Sequence, residues 1–208
     1  MNAFTSRIPS AIAAICVLIM IFRWSKKETD SIDIEIKGVI TVFVLLTSFL
    51  FFFEARMAQI DMVMCFFITG AMIEGFKLVS ENGRSYLPMA IFMGLGTITK
   101  GPIAFLLPMG SCATYLVLNK IRWKKIPWQA LLLSLIIPII WLRFVLLEDP
   151  QNDPLNYLQI ILYKQNIVRY ANSWHHNQPF YFFLITFLHD FLPWTPFFLI
   201  AMFFPLKK

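Results

Sequence analysis

Seven apolar stretches, separated by short polar corners, make up most of this chain. Most of them approach the length of about 20 residues with which a helix crosses about 30 Å of hydrocarbon. They comprise residues 8–24, 38–53, 62–76, 87–98, 103–118, 130–147 and 180–206. Only 14% of the 208 residues are charged, whereas a soluble domain carries about 25%. The pattern predicts an all-α integral membrane protein, a single transmembrane domain over residues 1–208 with a bundle of six or seven helices.

The same composition excludes other classes of protein. A hydrophobic content of 58% is too high for a disordered chain and leaves too little polar surface for nucleic-acid binding. The cysteines, Cys16, Cys65 and Cys112, lie inside apolar runs without the spacing of a zinc site or a disulfide framework. NTPase, nicotinamide-dependent and hydrolase functions have no support, because the sequence lacks their phosphate-binding, dinucleotide-binding and nucleophile motifs.

The distribution of basic residues predicts the orientation. Twelve of the 18 Lys and Arg residues fall in one alternate set of corners, and six fall in the other. Cytoplasmic loops are enriched in Lys and Arg, so the richer set is predicted to lie in the cytoplasm. The long polar loop, residues 148–179, then lies on the outer side of the cytoplasmic membrane. Apolar residues at helical spacing within 155–170 predict an interfacial helix in that loop.

Candidate functional residues concentrate on the predicted outer face. Ionisable residues near membrane depth are costly, so each is a candidate for function. The set comes from segments that are distant in sequence and converge on one end of the bundle: Arg7, Glu54, Arg56, Asp61, Lys100, Lys164, Arg169, His175 and His176. That convergence is the main argument from the sequence for a site.

Two of these segments have specific alternatives. Arg56 and Asp61 flank the corner between the second and third stretches, either as a cation and carboxylate near an anionic headgroup or as charges that mark helix ends. Gly101 and Pro102 break the apolar run, and Pro102 can begin a helix whose amides favour an anion beside Lys100. The other interpretation of Lys100 is an ordinary lysine at a tight turn.

The long loop offers a further group of polar residues. His175 and His176 are interpreted as a proton shuttle, a metal ligand or a phosphate donor, or else as interfacial hydrogen-bonding residues. Adjacent histidines cannot face one metal from a helix, although they can from a loop, and an acidic partner is missing nearby in sequence. The metal signal is therefore weak.

Taken in order, several motifs resemble one family. They are Arg7-Ile8-Pro9-Ser10-Ala11; Ala55-Arg56 with Asp61; Gly96 to Pro102 with Leu107-Pro108; Asn166-Ile167-Val168-Arg169-Tyr170; His176 to Tyr181; and Phe191-Leu192-Pro193-Trp194. Their order and spacing resemble the polytopic glycosyltransferases related to protein O-mannosyltransferases. The nearest branch is similar to the bacterial enzymes that transfer 4-amino-4-deoxy-L-arabinose to lipid A.

The resemblance implies a partial GT-C fold in the bacterial inner membrane and a transferase activity. Members take a sugar from a polyprenyl-phosphate donor, whose tail needs an apolar groove, and transfer it to a lipid or protein acceptor. By the resemblance, Asp61 is the outer-corner carboxylate near the donor phosphate, and Lys100 and Arg169 match family residues. The catalytic residue stays unknown, with Asp61 as the candidate, and Lys100, Arg56 and Arg169 are the candidates to bind the phosphate. The other candidates that it implies are Arg7, Asn166, His175, His176 and Tyr181, together with a divalent metal as a possible cofactor.

The sequence also departs from the family pattern. The family carries an Asp-Glu pair in an outer loop that precedes the Arg-x-Pro-Ser span, and here that span begins at Arg7. Gln165-Asn166 replaces the family's Glu-His or Glu-Asn. The chain is therefore expected to be an internal fragment that lacks the catalytic Asp-Glu loop.

Three functions follow from these patterns. The first is a membrane glycosyltransferase or a truncated part of one, and the second is a catalytically inactive membrane remnant or lipid-phosphate-binding subunit. The third, a transporter of lipid-linked solutes, predicts a midplane site and an inverted repeat, and the sequence displays neither.

Overall fold

The computed structural model describes residues 3–27, 33–81, 83, 85–148, 179 and 181–203. Within these ranges the chain forms ten α-helices and no strand. In chain order they are α1 (Ala3–Lys27), α2 (Asp33–Thr47), α3 (Phe49–Arg56), α4 (Asp61–Ser80), α5 (Leu87–Lys100), α6 (Ile103–Leu118), α7 (Trp128–Ser134), α8 (Ile136–Glu148), α9 (Phe182–Asp190) and α10 (Thr195–Phe203). A short 3₁₀ turn, Trp123–Lys125, precedes α7.

The helices form two compact units. The first unit comprises Met1–Met62 with Gln178–Lys208, and the second comprises Val63–Asn177. The first unit therefore contains α1, α2, α3, α9 and α10. The second contains nearly all of α4, together with α5 to α8.

In the first unit, α1 buries one narrow face. Ser10, Ala13, Ala14 and Val17 are all buried and recur at the three- and four-residue spacing of one helix side. In α2, a Cβ at Gly38 would lie 3.0 Å from Cδ2 of the Phe22 ring on α1. Small residues let neighbouring helices approach closely, which is how helices associate in a membrane.

A break at Ser48 separates α2 from α3. The two helices are bent by 68° there, although residues 38–53 were predicted as one uninterrupted stretch. The Ser48 Oγ donates to the Val44 carbonyl over 2.7 Å, and the Thr47 Oγ1 donates to the Phe43 carbonyl over 2.6 Å. Hydroxyls that bond the preceding turn compete with the helical ladder, and insertions of this kind are a known cause of kinks.

A second break separates α9 from α10 by residues 191–194. The bend here is 115°, and it coincides with Pro193, which has no amide hydrogen to continue the helix. The Thr195 hydroxyl donates to the Leu188 carbonyl across the corner. Pro193 and Pro196 predict an interruption of the last apolar stretch; the break falls at Pro193, whereas Pro196 lies in the first turn of α10.

The two breaks contact each other. The Phe49 amide donates to the Leu192 carbonyl over 2.9 Å, and the Trp194 Nε1 donates to the Thr47 Oγ1 over 2.8 Å. The Trp194 ring also packs edge-on against Phe43, with ring centroids 5.9 Å apart. The Phe49–Leu192 bond thus gives a backbone group at each break a partner from the other break. The Trp194–Thr47 bond adds a side-chain contact between the two breaks.

The second unit has a dense core. Its most buried residues are Ala71, Val79, Met89, Met93, Cys112, Leu116 and Ala130. Glycines bring the backbones together: a Cβ at Gly94 of α5 would lie 2.8 Å from the Ser134 carbonyl oxygen of α7. A Cβ at Gly96 would lie 2.8 Å from the Ala104 Cβ of α6. Helix α5 is therefore packed between its neighbours by its small residues.

Among the described residues, fewer helices than predicted are long and apolar enough to cross a membrane. Phe4–Ser25, Asp61–Ser80 and Trp123–Val145 are long and apolar enough to cross, and the count reaches five if each bent pair is one span. Helices α5 and α6, with 14 and 16 residues, reach only about 21 and 24 Å. The expectation of six or seven spans is therefore not confirmed. The predicted interfacial helix at 155–170 lies outside the described residues.

Candidate functional site

A buried serine links α1 to the corner between α3 and α4. The Ser10 side chain is 2% exposed, and its Oγ donates to the carbonyl of Gln59 over 2.8 Å. Gln59 belongs to the non-helical residues 57–60 that connect α3 to α4. Arg7 precedes Ser10 by three residues, so the two share a helix face. The hydrogen bond therefore holds the Arg7 end of α1 beside this corner.

The corner carries one charge on each side. Arg56 ends α3, and Asp61 begins α4. The guanidinium of Arg56 lies 5.2 Å from the centroid of the Phe52 ring, a cation–π distance. Both residues suit their positions, because a cation is stabilised at a helix C-terminus and a carboxylate at a helix N-terminus. Arg56 and Asp61, both predicted from the sequence, thus flank the corner that Ser10 contacts, and Arg7 lies one helical turn from Ser10 on α1.

An open apolar groove adjoins Arg56. Its volume is about 550 Å³, and it is lined by Leu46, Thr47, Phe49, Phe52 and Leu192. Phe52 belongs both to this groove and to the cation–π pair with Arg56. A hydrocarbon surface and a guanidinium therefore meet on the same aromatic ring, an arrangement that matches an amphiphile with an anionic head.

In the second unit, Lys100 lies at the predicted helix break. Helix α5 ends at Lys100, and Gly101 adopts φ 86°, a left-handed value that favours glycine. Pro102 is the N-cap of α6, as expected. The amides of Ala104, Phe105 and Leu106 already donate to the carbonyls of Gly101 and Pro102, over 3.1–3.3 Å. The helix amides at this break therefore add less positive potential than expected, and the positive charge here comes mainly from Lys100, an exposed residue.

The remaining predicted residues divide into two groups. Asn166, Arg169, His175 and His176, together with Lys164, lie outside the described residues. Tyr181 is described as the exposed residue that precedes α9. The structure therefore gives the position of Tyr181 but describes none of the long-loop candidates.

One ionisable pair was given no role from the sequence. The His189 Nδ1 lies 3.2 Å from the Asp190 Oδ1 at the end of α9, and the His189 ring packs edge-on against Phe49 with centroids 5.1 Å apart. Both residues were counted as part of an apolar stretch. The signal that could have identified them was the presence of two titratable neighbours inside that stretch.

The resemblance suggested a divalent metal, and the donor set can be examined for one. Among the residues that the structure describes, no three His, Cys, Asp or Glu side chains lie close enough to hold a metal ion. The described residues thus do not form a cluster of this kind.

Comparison with known proteins adds the family. A family model described as dolichyl-phosphate-mannose-protein mannosyltransferase matches residues 1–143. An undecaprenyl phosphate-alpha-4-amino-4-deoxy-L-arabinose arabinosyl transferase of Edwardsiella ictaluri is 26% identical over 76% of the chain, which covers 29% of that relative. The similarly named protein of Wigglesworthia glossinidia brevipalpis is 26% identical over 94% of the chain and 35% of its own length.

An uncharacterized protein of Aquifex aeolicus is 27% identical over 82% of the chain and 34% of its own length. The chain thus spans about a third of the length of the curated relatives that it matches. No solved structure matches the chain significantly. Since the family model covers more than half of the sequence, the protein belongs to the dolichyl-phosphate-mannose-protein mannosyltransferase family of membrane glycosyltransferases.

Proposed function

We propose that this chain acts in glycosyl transfer from a polyprenyl-phosphate sugar donor on the outer side of the cytoplasmic membrane. The acceptor is lipid A, another lipid or a protein. The observation that carries the proposal is that the family match, residues 1–143, contains the whole corner of Arg7, Arg56 and Asp61. Two of the relatives are named as arabinosyl transferases of an undecaprenyl-phosphate sugar, which supports the donor class.

The reaction sets definite chemical requirements. An acceptor oxygen attacks the anomeric carbon while the bond from that carbon to the phosphate oxygen breaks, and the configuration at the carbon inverts. The acceptor proton passes to a carboxylate, for which Asp61 is the candidate in the described part of the chain. The leaving group is a polyprenyl phosphate, whose growing negative charge is stabilised by positioned cations.

The corner of the first unit suits such a leaving group. Guanidinium groups donate two parallel hydrogen bonds to phosphate oxygens, so Arg56 and Arg7 are the proposed phosphate ligands. The prenyl tail would enter the groove lined by Phe49 and Phe52. Because Phe52 also contacts the Arg56 guanidinium, tail and phosphate would be bound at adjoining surfaces.

Lys100 and Arg169 remain proposed phosphate ligands on separate grounds. Lys100 is exposed at the break between α5 and α6, where the chain places a full positive charge beside a helix N-terminus. Arg169 matches the family motif, and its role rests on the resemblance alone. Each is tested by its own neutral substitution, scored by donor binding.

The alternative function is a lipid-phosphate-binding membrane protein that does not transfer a sugar. It is favoured by one observation, since Asp61 occupies the first turn of α4, where a carboxylate stabilises the helix without any catalytic role. This function needs the same cation and groove but no base. Binding and transfer must therefore be measured separately.

The test uses the full chain in lipid nanodiscs, with undecaprenyl phosphate as the probe. We expect wild-type protein to bind it, and Arg56→Gln to bind it about tenfold more weakly, because one charge-assisted interaction with the phosphate is lost. Arg143→Gln, which removes an exposed arginine from α8, should leave binding unchanged. Equal affinities for wild type and Arg56→Gln would reject the proposed phosphate site.

A transfer assay then separates the two functions. The same nanodiscs receive a sugar-loaded undecaprenyl-phosphate donor and lipid A, and glycosylated product is measured. Product formation that is lost in Asp61→Asn supports the transferase. Tight donor binding without product supports the binding protein.

A further inference from the structure

We propose that Ser10 is a positioning residue of the donor-phosphate site, an inference that rests on the proposed function. Ser10 would not touch the donor. It would set the position of the corner that carries Arg56 and Asp61 through its hydrogen bond to the Gln59 carbonyl. The transfer reaction itself does not require a serine at this position. The role of Ser10 is inferred from its hydrogen bond to Gln59.

The hydrogen bond of Ser10 differs from that of most helical hydroxyls in this chain. Ser25, Thr41 and Thr114 each donate to the carbonyl four residues earlier in their own helix. This local bond is the usual choice for serine and threonine in a helix. Ser10 instead donates to a carbonyl 49 residues later in the chain. Its hydroxyl therefore joins two segments, whereas the others serve one turn.

The acceptor lies where the backbone needs a partner. Residues 57–60 are not helical, so their carbonyls lack the regular partners of a helix. An unpartnered carbonyl that faces a buried side chain costs free energy, which the hydroxyl of buried Ser10 avoids for Gln59. Loss of that hydroxyl would release the segment that joins Arg56 to Asp61, so both charges would move together.

The packing of α1 holds Ser10 in place, because Ser10 belongs to the buried face of this helix. Ala13, Ala14 and Val17 continue the buried face below Ser10, whereas Arg7, one turn above it, is exposed. Ser10 is thus the last buried residue before the polar end of α1. A contact at this position holds the corner beside Arg7 without occupying the exposed surface on which a phosphate would bind.

The experiment compares Ser10→Thr with Ser10→Val in nanodiscs that contain the full chain. Threonine and valine have nearly the same shape, so only the hydroxyl differs between the variants. Affinities are measured for undecaprenyl phosphate and for undecaprenol, which lacks the phosphate. The ratio of the two affinities reports the contribution of the phosphate, and a general loss of structure would lower both affinities without changing that ratio.

We expect Ser10→Thr to keep the wild-type ratio and Ser10→Val to reduce it by about three- to tenfold, the range of one hydrogen bond. Ser25→Ala, which removes a local hydroxyl bond from the same helix, should keep the wild-type ratio. An unchanged ratio in Ser10→Val, or an equal loss of both affinities, would overturn the positioning role while leaving the proposed function intact.

Failure of the proposed function gives a different result. In that case wild-type protein itself binds undecaprenyl phosphate and undecaprenol equally well, and the inference about Ser10 fails with it. Hydrogen exchange of residues 54–61 provides the structural readout. Faster exchange in Ser10→Val than in Ser10→Thr is expected, because the corner has lost its tie to α1, and equal exchange counts against the inference.

Discussion

The two bent helix pairs of the first unit look alike in sequence but reach different distances. At about 1.5 Å per residue, Ile36–Thr47 and Phe49–Arg56 measure about 18 and 12 Å, and their 68° bend leaves about 25 Å from end to end. Helices α9 and α10 measure about 13 Å each, and their 115° bend leaves only about 15 Å. The first pair nearly matches the thickness of the hydrocarbon layer, and the second covers half of it.

The difference comes from how each helix is interrupted. At Ser48 one residue leaves the helical ladder, and the hydroxyls of Thr47 and Ser48 replace the missing bonds within the same turn. Between α9 and α10, four residues intervene and include Pro193, so the chain direction reverses in part. An apolar stretch of sufficient length is thus not by itself a membrane crossing.

The largest expected effect concerns the end-to-end distance of the second bent pair, α9 with α10. Spin labels at Tyr181 and Phe203 should lie about 15–20 Å apart, whereas a straight helix over the same residues would separate them by about 33 Å. The labels are best introduced as unnatural amino acids, since Cys16 and Cys65 are partly exposed free thiols that would compete for thiol reagents. A separation near the straight-helix value would show that α9 and α10 are not bent against each other and that both pairs can cross the hydrocarbon layer.

The next effect concerns the contact that joins the two breaks. Trp194→Ala removes the hydrogen bond to Thr47 and the packing against Phe43, so unfolding free energy should fall by about 3 kcal/mol. Reversible unfolding in mixed micelles measures this change. Trp123→Ala is the control, because that side chain is 59% exposed and should change stability by no more than about 0.5 kcal/mol. Similar losses in both variants would mean that the contact between the breaks adds no stability.

The smallest effect isolates one hydrogen bond. A double-mutant cycle of Thr47→Val and Trp194→Phe should give a coupling of about 0.6 kcal/mol, the average for side-chain hydrogen bonds between membrane helices. The same cycle with Thr41→Val should give a coupling near zero, because Thr41 bonds only its own helix at Lys37. If the two couplings agree, the Trp194–Thr47 bond does not hold the breaks together.

Breaks with strong local signals were predictable from the sequence. Gly101 and Pro102 end α5 and begin α6 as expected, because a left-handed glycine and a residue without an amide hydrogen act wherever they occur. The interruption at Pro193 follows from the same physics. The kink at Ser48 was missed, since hydroxyl residues in an apolar run bend a helix only when their rotamers engage the preceding turn.

The position of part of the candidate site was predictable, whereas its function stays a prediction. Arg7, Arg56 and Asp61 are predicted because charges near membrane depth are costly. In the structure Arg56 and Asp61 flank the corner that Ser10 contacts, and Arg7 lies one helical turn from Ser10. Sequence could not identify the Ser10–Gln59 bond, because its partners are 49 residues apart and the motif that contains Ser10 does not indicate its partner. The groove beside Phe52 was likewise beyond prediction, since it exists only where two breaks meet.

The glycine contacts of α5 have a consequence for inherited variation. A single-nucleotide change that turns Gly94 into alanine would place a methyl group 2.8 Å from a backbone oxygen, which cannot rotate away as a side chain would. Ile91 and Leu95, on the same helix, are exposed and can exchange for other apolar residues at little cost. Positions that tolerate substitution should therefore alternate with intolerant positions at helical spacing along α5. Deep mutational scanning would measure this alternation.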